Sequence, residues 1–362
     1  METLSFDVAI AGGGPGGSAT AISLLDHAPS LSVALIEASG YESYRVGETL
    51  PPPARALLEH LRVWESFKHQ GHQEAHGTSA AWGAAQPHHN EFFFMPNNVG
   101  WHLDRAAFDA MLAAEARHRG ASLILDTRVR DAQHSSEGWR LNLSDGNTIT
   151  ARFIVDATGS AALARRCGAR FIEIDCLVGV AGFFDQCNGD PGTLIEAFEH
   201  GWWYTAGLPE SRRIVICMTD ADVARRLRMH ETKEWRRALW AMSHVGARVG
   251  KTGVVKTVLV RSASSRRLDP AAGLDWLAVG DSVSRFDPLS SQGIVKALRS
   301  GIFASYAISD LLVRGDRDGL KRYDRYVAEE FESYNETRRK YYREEQRWPA
   351  SEFWRRRQSL SA

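Results

Sequence analysis

The residues with the plainest chemical purpose lie near the start of the chain. The run 11-AGGGPGG-17 sets Gly12, Gly14 and Gly17 in GxGxxG spacing. Gly12 permits a tight turn, Gly14 lets a pyrophosphate approach the backbone, and Gly17 lets a helix pack closely on a strand. Pro15 suits the first helical turn, where its missing N–H would have no partner anyway. Glu37 follows Gly17 by twenty residues, at the end of LSVALIE. A carboxylate there can accept hydrogen bonds from a ribose 2′-hydroxyl and would repel a 2′-phosphate. The chemistry is dinucleotide binding, and this motif alone does not separate NAD from FAD.

A second set separates them. The run 276-WLAVGDS-282 reads as a short buried strand ending at Gly280-Asp281. A carboxylate at Asp281 can accept from a polyol hydroxyl, and FAD carries a ribityl chain where NAD has none. SSQGIVKALRSGIFASYAI then reads as a helix. Its first N–H groups lack intrahelical partners and sit at the positive dipole end. Gly293 has no side chain, so a flat ring can come close to them. Reduced flavin carries its negative charge at N1 and the C2 carbonyl, which a helix N-terminus stabilises. Pro288, with φ fixed, makes a stiff wall beside the reactive edge of the ring. The expected cofactor is FAD, with Pro288 and Gly293 in the loop that faces the reacting atoms.

These residues need a scaffold, and the surrounding pattern supplies one. A strand (FDVAIA), a helix (SATAISLLDH) and a second strand (LSVALIE) frame the first motif. Asp104 can cap an Ala-rich helix beginning near Arg105. A further strand, RFIVD, leads to Asp156, Gly159 and another short helix. For Arg105 and Asp156, local capping and ion pairing compete with a cofactor role. Between about 166 and 268, short β-type runs alternate with turns, as in a sheet laid over a ring plane. Trp82, Phe94, Trp202, Trp203 and Tyr204 are its candidate substrate-lining residues, each also readable as core. His102, His200 and His244 are possible bases, but a lone histidine is more often a satisfied structural residue, so no general base is assigned. His69, His72 and His76 read as a helix end rather than a metal site, because Gly71 interrupts them. Phe331, Tyr334, Tyr341 and Trp348 follow helical spacing, with Pro349 ending the helix. That basic, aromatic tail either packs on its own FAD domain or docks a partner.

The fold class is α/β (α+β overall): a GxGxxG Rossmann-like FAD domain (1–75, 102–165 and 270–315) interleaved with a β-rich substrate domain (76–101 and 166–269), then a helical segment over 316–362. Among 362 residues, Lys+Arg 44 balance Asp+Glu 44, which gives no reason to expect a nucleic-acid or membrane partner. No apolar run approaches the ~20 residues that span a bilayer. The N-terminus lacks the pattern of a cleaved leader, and the four cysteines show no CxxC, so a cytoplasmic setting is expected.

GGGPGG, RVGETLPP (45–52), LDRAAFD (103–109), VDATGSAALAR (155–165) and GDSVSRFDPLSSQGI (280–294) together resemble the FAD monooxygenases related to p-hydroxybenzoate hydroxylase, and more closely the tryptophan-halogenase-like superfamily. The resemblance implies that Ala38, Arg45, Gly47, Glu48, Arg105, Val129, Asp156 and Gly159 lie along the FAD, and that Pro288 to Ile294 face its ring. Two departures matter. Halogenases of this superfamily carry a glutamate after Pro-Leu in the flavin-facing loop, and here Ser290 stands there. They also carry a lysine shortly before a tryptophan aligned with Trp82, and here the run is HGTSAAWG. Without both groups, hypohalous acid is not held and delivered in the usual way. The remaining oxygen chemistry is hydroxylation through a flavin C4a-hydroperoxide.

AWG (81–83), GWHLDRAAFDAML (100–112), WWYTAGLP (202–209), DPLSSQGI (287–294) and YYREEQRWPASEFWRRR (341–357) are similar to the flavoproteins that mature cysteine tryptophylquinone in amine oxidases of the lysine ε-oxidase and glycine oxidase type. That resemblance implies a tryptophan of a precursor protein as substrate, with the amine oxidase precursor as partner. Only one dinucleotide fingerprint is present, so electrons come from transient NAD(P)H or an external reductase. Competing expectations are a monooxygenase of small aromatic metabolites, a halogenase, a geranylgeranyl-type reductase and a flavin-bound chaperone.

Overall fold

The computed structural model describes residues 4–43, 45–92, 95–185, 190–250, 255 and 257–358. Leu4–Ala11 runs parallel to Val33–Ile36 on one side and to Thr148–Asp156 on the other. Ser122–Ile124 and Trp276–Ala278 extend the parallel layer outward. Val8, Ile10, Leu35 and Val155 are fully buried, as expected of strands covered on both faces. Gly138–Leu143 and Val129–Ser135 complete the sheet as antiparallel additions.

Register matters more than strand count. Ala11 pairs with Ile36 and Asp156, and Asp156 pairs with Ala278. The strands therefore end together, and the segments starting at Gly12, Glu37, Ala157 and Val279 emerge along one edge. Ligands of open α/β sheets bind in such a crevice at the carboxyl ends of strands.

Two helices cross beneath this edge. Pro15–His27 packs against Gly293–Arg314 so closely that a Cβ on Gly301 would come within 2.4 Å of the Gly16 carbonyl. Ser305 donates to Ser23 at 2.8 Å between them.

The second large sheet is ordered Leu259–Ser262, Leu177–Phe184, Arg212–Asp220, Gly201–Leu208, Thr193–Phe198, Gly77–Ala81, His88–Glu91. All pairs are antiparallel except Thr193–Phe198 with Gly77–Ala81. Successive side chains point to opposite faces. One face, with Trp202, Tyr204, Ile214 and Ile216, packs with Val46, Leu289 and the tail residues Tyr342, Phe353 and Trp354. The other, with Trp203, Val215 and Cys217, packs on the helices that carry Trp235, Leu239 and Val245.

The C-terminal segment forms helices Asp318–Glu344 and Glu352–Gln358. Its inward face reads Phe331, Tyr334, Arg338 and Tyr342, whereas Tyr341 is 49% exposed. The expected aromatic face is thus correct at 331 and 334 and shifts by one residue at its end, because the 3.6-residue period drifts against a strict sevenfold count. The helix ends at Glu344, ahead of Pro349. Residues 161–168 form turns instead of the expected short helix. Ala161 takes φ 52° and Gly168 φ 93°, and these left-handed positions bound the segment to about one turn.

Candidate active site

The Pro15–His27 helix begins with its first turn bare. Gly14 is its extended cap, with no side-chain capping bond and no acid in the first turn. Orphan N–H groups at a helix start need an acceptor, and a phosphate fits them. Gly12 takes φ +116°, and a Cβ there would come within 2.2 Å of the Ala157 carbonyl. A Cβ on Gly17 would meet the Gly12 carbonyl at 1.9 Å. Nothing lies within 4 Å of the Cβ position of Gly14. Two glycines are therefore required by the chain itself, while Gly14 faces open space.

Glu37 stands at the end of its strand. One carboxylate oxygen accepts from the Gly13 amide at 2.8 Å, and the other from Arg45 at 2.9 Å. Ala38 beside it is exposed. Thr127, two residues before Val129, donates its amide to the Glu37 carbonyl, which places Val129 at this end of the crevice. Arg45 bonds Asp109 at 2.8 Å, and Arg105 bonds both oxygens of the same carboxylate at 3.2 Å. Burial alone would weaken the Arg45 proton, but Asp109 and Glu37 outweigh it and hold the guanidinium charged. Arg105 also donates to the carbonyls of Val46 and Gly47 at 3.0 and 2.6 Å. Asp109 was not among the sequence candidates, although it lies four residues after Arg105 on one helix face.

Asp156 is buried, and its acceptor capacity is used inside the protein. It takes bonds from Thr158, Ser282, Leu163 and Ala164. Ser282 in turn accepts from the Gly159 amide at 2.7 Å. Asp156 thus binds the 155–165 segment to the Gly280-Asp281 turn, the capping alternative weighed for it above. Gly159 takes φ +73°, and its Cβ position lies 4.0 Å from Asp281.

Asp281 is exposed, and buried Lys296 reaches one of its oxygens at 2.9 Å. Desolvation of the covered half of the Asp281 side chain would raise its carboxyl, but Lys296 and Arg285 outweigh it and keep the group below the ordinary aspartate range. The next loop runs through Asp287 and Pro288 to the Gly293–Arg314 helix. This second helix also starts bare, capped by Gln292 without a side-chain bond and with no acid in its first turn. Gly293 has open space at its Cβ position. Gly47, Asp281, Pro288 and Gly293 are exposed, whereas Glu48, Ser282, Asp287 and Ile294 beside them in sequence are buried.

Glu48 enters the interior with Arg105 near it but, among the described residues, in no ion pair. It accepts from the Gly47 amide at 2.8 Å and from the hydroxyl of Tyr204. Burial pushes its carboxyl above the usual glutamate value. Tyr204 lies 2.6 Å from Thr49 Oγ1, and His102 bonds Thr193 at 2.8 Å. Burial holds His102 near about 4, hence neutral at physiological pH. His200 and His244 lie elsewhere, the latter bonding the Ala85 carbonyl.

Of the expected lining residues, Trp202 and Tyr204 share the face that meets Val46 and Leu289. Trp82 joins them edge-on, 6.4 Å from Trp202 and 5.2 Å from Trp354. Trp203 points to the opposite face, 5.4 Å from Trp235. Phe94 lies outside the described residues.

The residues present fit FAD, which needs two uncapped helix starts, a ribose acceptor, a polyol acceptor and close backbone approach at both ends. Bare Gly14 and Gly293 would receive the backbone approach, and Glu37 and the Lys296-backed Asp281 would be the acceptors.

Comparison with known proteins agrees. The tryptophan halogenase family profile matches residues 7–94 and 68–362. A putative FAD-dependent oxidoreductase, LodB of Marinomonas mediterranea, is 30% identical over 99% of this chain and 98% of its own length. The myxobacterial chondrochloren halogenase CndH shares the fold with TM-score 0.89 at 21% identity, over 98% of this chain and 86% of its own. The peptidyl tryptophan dihydroxylase QhpG, described as essential for tryptophylquinone cofactor biogenesis, matches with TM-score 0.76 at 24% identity, over 98% and 79%. The chain belongs to the tryptophan halogenase family and is a flavin-dependent oxidoreductase.

Proposed function

We propose that this protein is an FAD monooxygenase that hydroxylates the indole ring of a tryptophan in a precursor protein, as a step in tryptophylquinone cofactor biogenesis. The observation that carries the reading is the flavin-facing loop. At the place where the resembling halogenases keep a carboxylate, the Ser290 hydroxyl is turned back onto the Asp287 carbonyl at 2.8 Å. The residues ahead of Trp82 are Ala80 and Ala81, so no ammonium is offered there either. Two groups needed to hold and pass a hypohalous acid are replaced by uncharged ones. The relationship to LodB and the shared fold with QhpG support a protein-borne tryptophan as the target.

Bound and reduced, FAD supplies the electrons that activate dioxygen, with NAD(P)H or a separate reductase as their source. The chain's own part is binding and placement. The amides after Gly14 hold the pyrophosphate, Glu37 the ribose, and Asp281 with Lys296 the ribityl chain. Pro288, Gly293 and Ile294 form the support for the ring. Trp202, Tyr204 and Leu289 supply an apolar layer that excludes water beside it.

The test is incubation of the FAD-loaded protein with reductant, oxygen and the amine oxidase precursor, followed by peptide mapping. Whole oxygen atoms added at one tryptophan are expected. An unchanged peptide in a stable complex would make the protein a chaperone, and turnover of free indoles or phenols alone would make it a metabolite hydroxylase.

A further inference from the structure

Three side chains of the helix Asp318–Glu344 converge on one residue of the flavin-facing loop. Asp287 is buried. Its amide donates to the Tyr334 hydroxyl at 2.6 Å. One carboxylate oxygen accepts from the Leu289 amide at 2.9 Å. The other accepts from the Tyr342 hydroxyl at 2.7 Å and from Arg338 Nε at 3.3 Å. Arg338 is itself held by Asp175. Tyr342 accepts from the Trp202 indole nitrogen at 3.1 Å, and Tyr334 lies 2.7 Å from Ser265 Oγ.

The bond from Leu289 already closes the loop locally, as a capping aspartate does. The three helix side chains are an addition that fixes where the closed loop sits. They fix it against Trp202, a residue of the sheet face that meets the same loop.

We propose that Tyr342 and Arg338 are positioning residues for the flavin-facing loop, holding Asp287 so that Pro288 and Leu289 keep one placement against the cofactor, and that the Trp202–Tyr342–Asp287 chain ties this placement to the sheet beside it. The C-terminal helix then belongs to the cofactor site, and its Tyr323 hydroxyl also donates to the Ala278 carbonyl at 2.6 Å in the strand that leads to Gly280. The inference rests on the FAD reading for its consequence and on the protein alone for its geometry.

Two measurements test it with Tyr342→Phe, Arg338→Lys and Asp287→Asn. The first is hydrogen exchange at the Leu289 and Ser290 amides of the cofactor-free protein. Tyr342→Phe is expected to speed exchange there by about tenfold, the loss of one hydrogen bond to a charged group. Amides in the Leu4–Ala11 strand should be unchanged. The second is the midpoint potential of bound FAD. A tenfold change in the ratio of affinities for oxidised and reduced flavin is about 30 mV for a two-electron couple. Shifts of that size in Tyr342→Phe and Asp287→Asn that fail to add in the double variant would establish the coupling. Unchanged loop exchange and unchanged potential, with only a lower thermal midpoint, would overturn the proposal. If Tyr342→Phe does not fold, Arg338→Lys, which keeps the charge but not the planar fork, is read by the same two measurements. A wild-type protein that takes up no FAD would defeat the cofactor reading, while the exchange result would still decide the positioning claim.

Discussion

Lys296 and Asp281 stand 2.9 Å apart, with the ammonium wholly buried and the aspartate side chain about half exposed. The lysine holds the Asp281 carboxylate charged, as the proposed ribityl acceptor requires. Asp281→Ala removes that acceptor and leaves a buried ammonium with the Ser284 carbonyl as its remaining partner. We expect FAD retention to fall and stability to drop by about 1–3 kcal/mol, below the cost of breaking a fully buried pair because Asp281 is half in water. Flavin absorbance after gel filtration and a denaturant midpoint read the two effects. An Asp281→Ala protein that purifies with full flavin would remove the ribityl assignment.

The same pair has a pH signature. Asp281 is depressed in the folded protein, so its stabilisation is complete above the ordinary aspartate range and is lost as pH falls through its lowered value. Lys296→Met should flatten that acid limb of the stability curve. A limb identical to wild type would mean that the pair contributes nothing measurable.

Gly14 and Gly17 separate binding from folding. Gly17→Ala drives a methyl into the Gly12 carbonyl at 1.9 Å and should cost about 2–4 kcal/mol. Gly14→Ala meets nothing within 4 Å and has φ −73°, which alanine accepts. The cofactor-free Gly14→Ala protein should stay within about 0.5 kcal/mol of wild type, yet bind FAD at least about tenfold more weakly. Equal FAD affinity in that variant would show that no pyrophosphate approaches there.

Glu48 makes the opposite pH prediction to Asp281. Burial raises its carboxyl, so the folded state holds the proton more tightly than the unfolded one. Its contribution is full below the ordinary glutamate value and is lost as pH rises from there through its raised value. Glu48→Gln keeps one accepting oxygen and removes the charge, so the cofactor-free variant should gain about 1 kcal/mol near neutral pH. Loss of stability there would mean that the attraction of nearby Arg105 outweighs the burial of the Glu48 charge.

Much of the cofactor end was legible because it is local. Gly12, Gly14, Pro15 and Gly17 act within one turn, and the regular strand spacing carries Glu37 to the same edge. What was not legible is long-range. Asp109 serves two arginines that reach it from different segments. The link from Trp202 to Asp287 passes through Tyr342, and no periodicity connects those three positions. Strand alternation guarantees that Trp202 and Trp203 oppose one another, but the sequence does not say which face meets the cofactor domain. The tail offered both Tyr341 and Tyr342 to the same helix, and one residue of helical drift decides which is buried.

The most direct test of the account supplies isotopically heavy dioxygen and bromide together to the FAD-loaded protein, its reductant and the precursor, and reads the modified tryptophan by mass spectrometry. Heavy oxygen on the indole ring and no bromine are expected. Bromine on the ring, or a tryptophan that takes up no heavy oxygen while flavin turns over, would contradict it.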